Sequence, residues 1–459
     1  MKTTDKTVLL ESSPIPKAVA ALCIPTVLSS IVMMTYNLAD TFFVGELNDA
    51  IQNAGVTLAA PVLLAFNAVN NLFGVGTSSK MSRALGQKDY DTVYRTSAFG
   101  FYSALFFAVL LSVCCTVFKA PLMRLLGADA DTWQSTADYL FWTVTCGAVP
   151  AIMNVIMSYL VRAEGASLHA SIGTMSGCIL NIILDPFFIL PRYMGLGAAG
   201  AGLATFIANC VAFLYYLVLL YVRRGKSYVC ISPKMFGFRK EIVKDVCWVG
   251  IPASIQNLLN VTGMTILNNF TAAYDSAAVA AMGISHKISL IPVYVSMGLS
   301  QGIMPLVSFN YASGNIKRMK TAYSFTTVIS MAVITLLSAL MFVFSGEVTR
   351  VFLNDAQVVA YGTRFMRGMT LAMPFLAFDF IAVAVFQACG MGGKSLIFAI
   401  ARKLVLEIPA LIVLDKLWPL YGLAYSQLVS EVVLAAAAAL VLIRMFRRLS
   451  GEGEKADAR

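Results

Sequence analysis

The chain has 459 residues, of which 58% are hydrophobic and only 13% charged. Ordinary soluble domains carry about 25% charged residues, so a soluble globular protein is excluded. The net charge of +10 does not point to nucleic acid either, because the basic residues are spread over many loops rather than gathered in one patch.

Apolar stretches of about 20 residues, each long enough to cross a hydrocarbon core of roughly 30 Å, recur from end to end. They predict twelve helical spans, at 16–42, 52–78, 94–118, 135–160, 167–190, 197–222, 243–270, 277–305, 321–345, 360–387, 395–414 and 421–446. Runs this long without alternation are not barrel strands. The first span follows a polar stretch and does not end at a small-residue cleavage site, so it is expected to stay inserted. Pro25 lies within it, removes a backbone hydrogen bond and marks a candidate hinge. Asp40 lies near its outer end, roughly 36 Å along the helix axis. The stretch 74–87, after the second span, is rich in Gly and Ser but lacks the GxxxxGK[ST] phosphate pattern, and it reads as a close-packed helix end with a turn. Asn154 falls in the fourth span, Asn181 and Asp185 in the fifth, and Thr205 in the sixth. The seventh carries Gln256, Asn257, Asn260, Asn268 and Asn269 but no acid inside the bilayer, and the tenth and eleventh carry Asp379 and Glu407. The domain order is an N-terminal lobe over 1–222, a basic cytoplasmic linker over 223–242, a C-terminal lobe over 243–450 and a polar tail over 451–459.

The spans also repeat. Ile24-Pro25 returns as Ile251-Pro252 after 227 residues, and Gly86-Gln87 as Gly314-Asn315 after 228. Arg162-Ala163-Glu164-Gly165 finds Gln387-Ala388-Cys389-Gly390 after 225, and Leu184-Asp185-Pro186 finds Glu407-Ile408-Pro409. A period near half the chain, with an even number of helices in each half, gives a parallel duplication, as in transporters whose ligand path lies between the halves. The fold class is therefore all-α integral membrane, with twelve transmembrane helices in two pseudo-symmetric six-helix lobes. With both termini inside, roughly 26 of the 34 Lys and Arg fall in inner segments against about 7 outside, which is the positive-inside asymmetry of a multi-pass cell-membrane protein. The nine Cys form no CxxC, and His169 and His286 are too few for a His-based metal centre.

A charge at bilayer depth costs about 2.5–3.5 kcal/mol and so asks for a use or a partner. Asp40, Asp185, Asp379 and Glu407 stand out on this ground. Helices 1 and 5 both run outward, Asn181 lies one turn inward of Asp185 on the same face, and Thr205 sits in the outer part of helix 6. Asp40, Asn181, Asp185 and Thr205 are thus expected to meet in the outer half of the N-terminal lobe. Two carboxylates, an amide oxygen and a hydroxyl suit a proton or Na⁺, both hard cations. Asn154, Gln256, Asn260, Asp379 and Glu407 form a candidate substrate or second cation site. The alternative for Asp379 and Glu407 is a structural pairing with His286, Lys287 or Arg402.

At these residues the sequence resembles the multidrug and toxic compound extrusion (MATE) family. The resemblance rests on Asp40-Thr41-Phe42-Phe43-Val44-Gly45-Glu46-Leu47 after Pro25, on Ser82-Arg83-Ala84-Leu85-Gly86, on Arg162-Ala163-Glu164-Gly165, on Asn181 with Leu184-Asp185-Pro186, and on Gly200-Ala201-Gly202-Leu203-Ala204-Thr205. In the second half it rests on His286 with Ile288, Gly298-Leu299-Ser300-Gln301 and Pro305-Leu306-Val307. It implies two six-helix lobes around a cleft that opens alternately to each side. It also implies export of amphipathic, often cationic, compounds against H⁺ or Na⁺. Family members with a cation site in the N-terminal lobe use residues matching Asp40, Asn181, Asp185 and Thr205. A second branch uses acids in the C-terminal lobe, of which Asp379 matches one, but the glutamate of helix 7 is missing here.

The expected function is thus a secondary antiporter rather than an enzyme. Its partners are small amphipathic molecules and the lipid bilayer, it needs no cofactor beyond the coupling ion, and it is expected to work as a monomer. The alternative is a lipid-linked precursor flippase of the same superfamily, whose pyrophosphate cargo needs a cationic path.

Overall fold

A computed structural model of the protein describes residues 5–353 and 355–457. Residues 1–4 of the predicted N-terminal lobe and 458–459 of the polar tail lie outside the described residues, as does 354.

The fold is all-α, with twelve membrane helices. A short helix, Asp5–Glu11, precedes α1 (Ile15–Glu46) and α2 (Ala50–Gly86). Next come α3 (Tyr90–Val117) and α4, a bent pair of Trp133–Cys146 and Ala148–Ala163. The first repeat closes with α5 (Ser167–Ile189) and α6 (Gly197–Val222). The second holds α7 (Lys240–Ala272), α8 (Ser276–Ala312), α9 (Ile316–Val343) and α10 (Ala356–Ala388). It ends with α11, built from Gly392–Ile400, Ala401–Glu407 and Ile408–Leu417, and α12 (Ser426–Asp457). Among the described residues, nine continuous helices are long and apolar enough to span a membrane, and the α4 pair, bent by 51°, makes a tenth. The other two are α7, diluted by its amides, and α11, which carries Arg402, Lys403 and Glu407.

Two predicted spans are longer than expected. α2 runs on to Gly86 and α8 to Ala312, so the Gly/Ser-rich stretch 74–87 and its counterpart in the second repeat, 300–315, are helical and only their last residues turn. α12 likewise continues to Asp457, into the predicted polar tail.

The duplication extends to helix capping. Asp49 accepts from Ile51 N at 2.9 Å at the start of α2, and Asp275 accepts from Ala278 N at 2.6 Å at the start of α8. Asp89 caps α3 through Thr92 N, and Asn315 caps α9 through Arg318 N, both at 3.1 Å. A side-chain oxygen satisfies an orphan amide at each start, and the same device recurs at the repeat spacing.

By contacts the chain forms two compact units whose borders fall inside the short helix Asp5–Glu11, inside α1 and inside α7. Leu28–Ser254 belongs to the first unit, and Leu10–Val27 goes with the chain from Ile255 onward in the second. The borders inside α1 and α7 each follow a helix proline, Pro25 or Pro252, by two residues. The sequence places the lobe border in the linker 223–242. That segment instead packs on the first unit: Glu164 Oε2 accepts from Tyr228 N at 2.7 Å and Ser227 Oγ at 2.9 Å, and Tyr102 donates to the Ile231 carbonyl at 2.8 Å.

Small residues let helices approach closely in each unit. In the first, a Cβ on Gly250 of α7 would lie 2.0 Å from the Leu72 carbonyl oxygen of α2, and one on Gly76 would lie 2.3 Å from the Val246 carbonyl oxygen. In the second, a Cβ on Gly298 of α8 would lie 2.6 Å from Val27 Cα of α1, and one on Gly302 would lie 2.7 Å from Cys23 Cα. Backbone meets backbone at these crossings, the arrangement that small residues give in membranes.

Candidate functional site

The site of the first unit follows from a stripe on α5. Gly173, Gly177, Asn181 and Asp185 recur every four residues, and all are buried. The two glycines let α6 come close: a Cβ on Gly177 would lie 3.0 Å from Ala212 Cβ, and one on Gly173 would enter the Tyr216 ring. Tyr216, fully buried, donates to the Ala170 carbonyl at 2.6 Å and fixes the pair near the N-terminal end of α5. One turn and then two turns further along α5, the stripe changes from glycine to Asn181 and Asp185, opposite Thr205 of α6.

Asn181 bridges the other two. Its amide nitrogen faces the Asp185 carboxylate and donates to Oδ2 at 2.8 Å, while its oxygen accepts from Thr205 N at 3.0 Å and Thr205 Oγ1 at 3.2 Å. This orientation puts donors against acceptors throughout, whereas the reverse would set an amide oxygen against a carboxylate oxygen. Asp40 of α1 lies close enough to Asp185 for the two carboxylates to interact electrostatically. Asp185 is fully buried, and Asp40 Oδ1 is buried with no hydrogen-bond partner. Among the described residues neither acid forms an ion pair with Lys or Arg. The structure therefore places Asp40, Asn181, Asp185 and Thr205 in one cluster.

Two tyrosines complete it. Tyr36, one turn before Asp40 on α1, lies near Thr205 and within electrostatic reach of Asp40. Tyr139 of α4, 5% exposed, lies within electrostatic reach of both Asp40 and Asp185. Phenol oxygens are hard, as are those of the carboxylates and the amide. The i, i+4 spacing of Tyr36 and Asp40 was a usable sequence signal, whereas nothing local to Tyr139 distinguishes it from a packing aromatic. Asn154 is elsewhere: it donates to Asn209 Oδ1 at 3.0 Å, between α4 and α6.

In the second unit the candidate residues do not form one group. Asp379 of α10, fully buried, lies 3.9 Å from Arg402 Nη2. Glu407 is held by Lys403, one turn earlier on α11, at 2.7 Å. The Gln256 carbonyl accepts from Gln387 at 3.5 Å, and Asn260 is half-buried in α7. His286 lies within electrostatic reach of Lys403, and Lys287 is exposed, so the pairing foreseen for Asp379 falls to Arg402 alone among the three basic candidates.

A family model described as MatE matches residues 25–187 and again 252–413, two copies that open on Pro25 and Pro252. The chain belongs to the MatE family. The family consists of membrane transporters, and the two matched segments are the two repeats read from the sequence. The chain is 31% identical over 443 residues to the multidrug export protein MepA of Staphylococcus haemolyticus strain JCSC1435, and 30% identical over 442 residues to the MepA protein of Staphylococcus aureus strain MRSA252. Each alignment covers 96% of both chains. Among solved structures, it resembles a MATE in the straight conformation with a TM-score of 0.92 at 26% identity, covering 98% of this chain and all of that one. With the same coverage it resembles the outward-facing conformation of a multidrug resistance MATE family transporter, at a TM-score of 0.90 and 27% identity. A MOP superfamily transporter from Pyrococcus furiosus Vc1, described as having a binding pocket of reverse polarity, matches at 0.88 and 27%, again over 98% of this chain.

One acid of this MatE chain escaped the sequence reading. Glu431 of α12, fully buried and followed by Val432 and Val433, lies 3.3 Å from Arg402 Nη2. It is a fifth acid at bilayer depth. The signal was present, since a lone Glu inside a span is expensive wherever it falls.

Proposed function

We propose that this protein is a secondary antiporter that exports amphipathic, cationic compounds across the cell membrane in exchange for H⁺ or Na⁺. The observation that carries the proposal is the Asp40–Asp185 pair with Asn181, Thr205, Tyr36 and Tyr139: two acids in apolar surroundings, oxygen ligands around them and no basic partner. Two such carboxylates attract a small cation and release it at modest cost, which an exchanging site requires. A fixed Arg or Lys would occupy them permanently. Each proton moving inward supplies about 2.3 kcal/mol per 100 mV of membrane potential. Competition between the coupling ion and a cationic guest for the same charges links the two fluxes.

The likeness to multidrug export proteins over nearly the whole chain supports the cargo class. The charge asymmetry of the loops supports cytoplasmic termini in the cell membrane, and a chain that carries both repeats supports action as a monomer. A lipid pyrophosphate cargo asks for free cations. The buried Arg402 and the half-buried Lys403 are instead each set against carboxylates, which disfavours the flippase reading.

The test is efflux from reconstituted vesicles with the pH and Na⁺ gradients imposed separately. Gradient-driven export of a cationic dye is expected in the native protein and is lost in Asp40→Asn and in Asp185→Asn. Undiminished export in both variants would overturn the mechanism.

A further inference from the structure

The first unit contains a cavity that the proposed antiport does not use. It is formed by the C-terminal end of α3, the short helix Lys119–Leu125 and the first half of α4, and its volume is about 170 Å³. Two features of the sequence leave this space. Ala137 contributes only a methyl group, and the π-helical turn Phe141–Cys146 sets Phe141 and Thr145 on the wall. Turns of this kind often sit at functional positions.

Most of the wall is apolar, with Leu122, Met123 and Leu140. Three polar residues share it. Thr116 Oγ1 and Thr145 Oγ1 lie 3.1 Å apart. Thr116 donates its hydroxyl hydrogen to the Ser112 carbonyl at 2.7 Å, which leaves the Thr145 hydroxyl hydrogen for Thr116 or for a guest. Lys119 also lines the cavity and is exposed, and among the described residues no carboxylate pairs with it.

Size and charge set the chemistry of the guest. A cavity of about 150 Å³ takes one benzene ring, whereas drug-sized ligands fill roughly 300–1,000 Å³. The space therefore holds a short stretch of hydrocarbon and not a whole export substrate. The ammonium of Lys119 repels cationic guests and attracts anionic ones. Apolar walls directly beside that ammonium ask for a negative charge joined directly to a hydrocarbon chain. A phospholipid does not meet this demand, because a glycerol ester separates its phosphate from its chains. The level in the membrane also fits. α3 ends at Val117, and Val117, Phe118 and Leu125 are exposed around Lys119. A lysine near a helix end carries its charge to the membrane interface, where the head of an amphiphile sits.

We propose that this cavity binds a single-chain carboxylate amphiphile of the fatty-acid class, taken from the bilayer. Its carboxylate meets Lys119 and the Thr145 hydroxyl, its first carbons fill the cavity, and the rest of its chain leaves over the exposed ring of Phe141. The site does not rest on the antiport reading. It selects the charge opposite to that of the proposed cargo, and it stands if Asp40 and Asp185 prove inert.

The test is photolabelling of the purified full-length protein in phosphatidylcholine vesicles, using palmitic acid with a diazirine close to its carboxylate, followed by peptide mapping. Label is expected within 115–123 and 137–145, displaced by excess unlabelled palmitic acid but not by hexadecanol or phosphatidylglycerol. Lys119→Gln should lower labelling of these segments roughly tenfold, the effect of losing one charge-assisted hydrogen bond. Ala137→Leu fills the cavity and should abolish it. Lys119 is exposed, so an unchanged thermal midpoint in Lys119→Gln shows that the loss is not unfolding. Label without enrichment in these segments, equal displacement by hexadecanol or phosphatidylglycerol, or undiminished labelling of Lys119→Gln would each overturn the proposal.

Discussion

The two units carry the same kind of buried acid and surround it differently. In the first, Asp40 and Asp185 meet an amide, a hydroxyl and two phenols. In the second, Asp379 and Glu431 meet a guanidinium. The scaffold is shared down to the caps and to the prolines of α1 and α7, so the difference lies in a few side chains. What faces an acid decides its use: oxygen ligands leave room for an ion that comes and goes, whereas Arg402 stays. A duplicated fold can thus keep a mobile charge in one half and a settled one in the other.

The sharpest way to break this comparison is at the acids of the first unit. Asp185→Asn should reduce gradient-driven efflux to the level of protein-free vesicles, while Glu407→Gln, whose carboxylate is paired with Lys403, should leave measurable coupling. Equal losses in both would mean that the contrast has no functional meaning.

Next in size is Arg402→Met. It strands two carboxylates in apolar surroundings and should destabilise the protein by about 3–5 kcal/mol, read as a large fall in thermal midpoint in detergent. Adding Asp379→Asn and Glu431→Gln to that variant removes the stranded charge and should recover most of the loss. A triple variant no more stable than Arg402→Met would show that the arginine matters for packing alone.

The glycine crossings rank third. Gly250→Leu and Gly298→Leu each drive a side chain into a neighbouring backbone and should cost about 1–3 kcal/mol in thermal or denaturant unfolding. Gly45→Leu is the control, since no atom lies within 4 Å of a Cβ there. The smallest effect is expected from Thr205→Val, which removes one hydroxyl from Asn181 and Tyr36. A loss near 1 kcal/mol, or about fivefold in apparent affinity for the coupling ion, fits a neutral hydrogen bond.

Much of this architecture was legible in the sequence, for physical reasons that can be named. Bilayer thickness fixes span length, so apolar runs located all twelve helices, although the C-terminal ends of α2 and α8 ran on as helix beyond the apolar stretches. Asn181 and Asp185 share a face by helix periodicity, and depth counting brought Asp40 and Thr205 to the same level. The Arg402 partnership was foreseen only as one of three options, because pairing across helices depends on rotation about each axis. The π-turn at Ala401–Glu407 alters that rotation, and period alone does not announce such a turn. The unit borders inside α1 and α7 were equally hidden, since a helix that contributes to two packing environments reads as one continuous run.

The most direct test of the central claim is proton counting on purified protein in weak buffer. Adding a saturating lipophilic cation such as tetraphenylphosphonium to the native protein should release protons into solution, and the Asp40→Asn/Asp185→Asn variant should bind the same cation without that release. Equal release from both proteins would contradict the account, because the exchanging charge would then lie outside the first unit's acids.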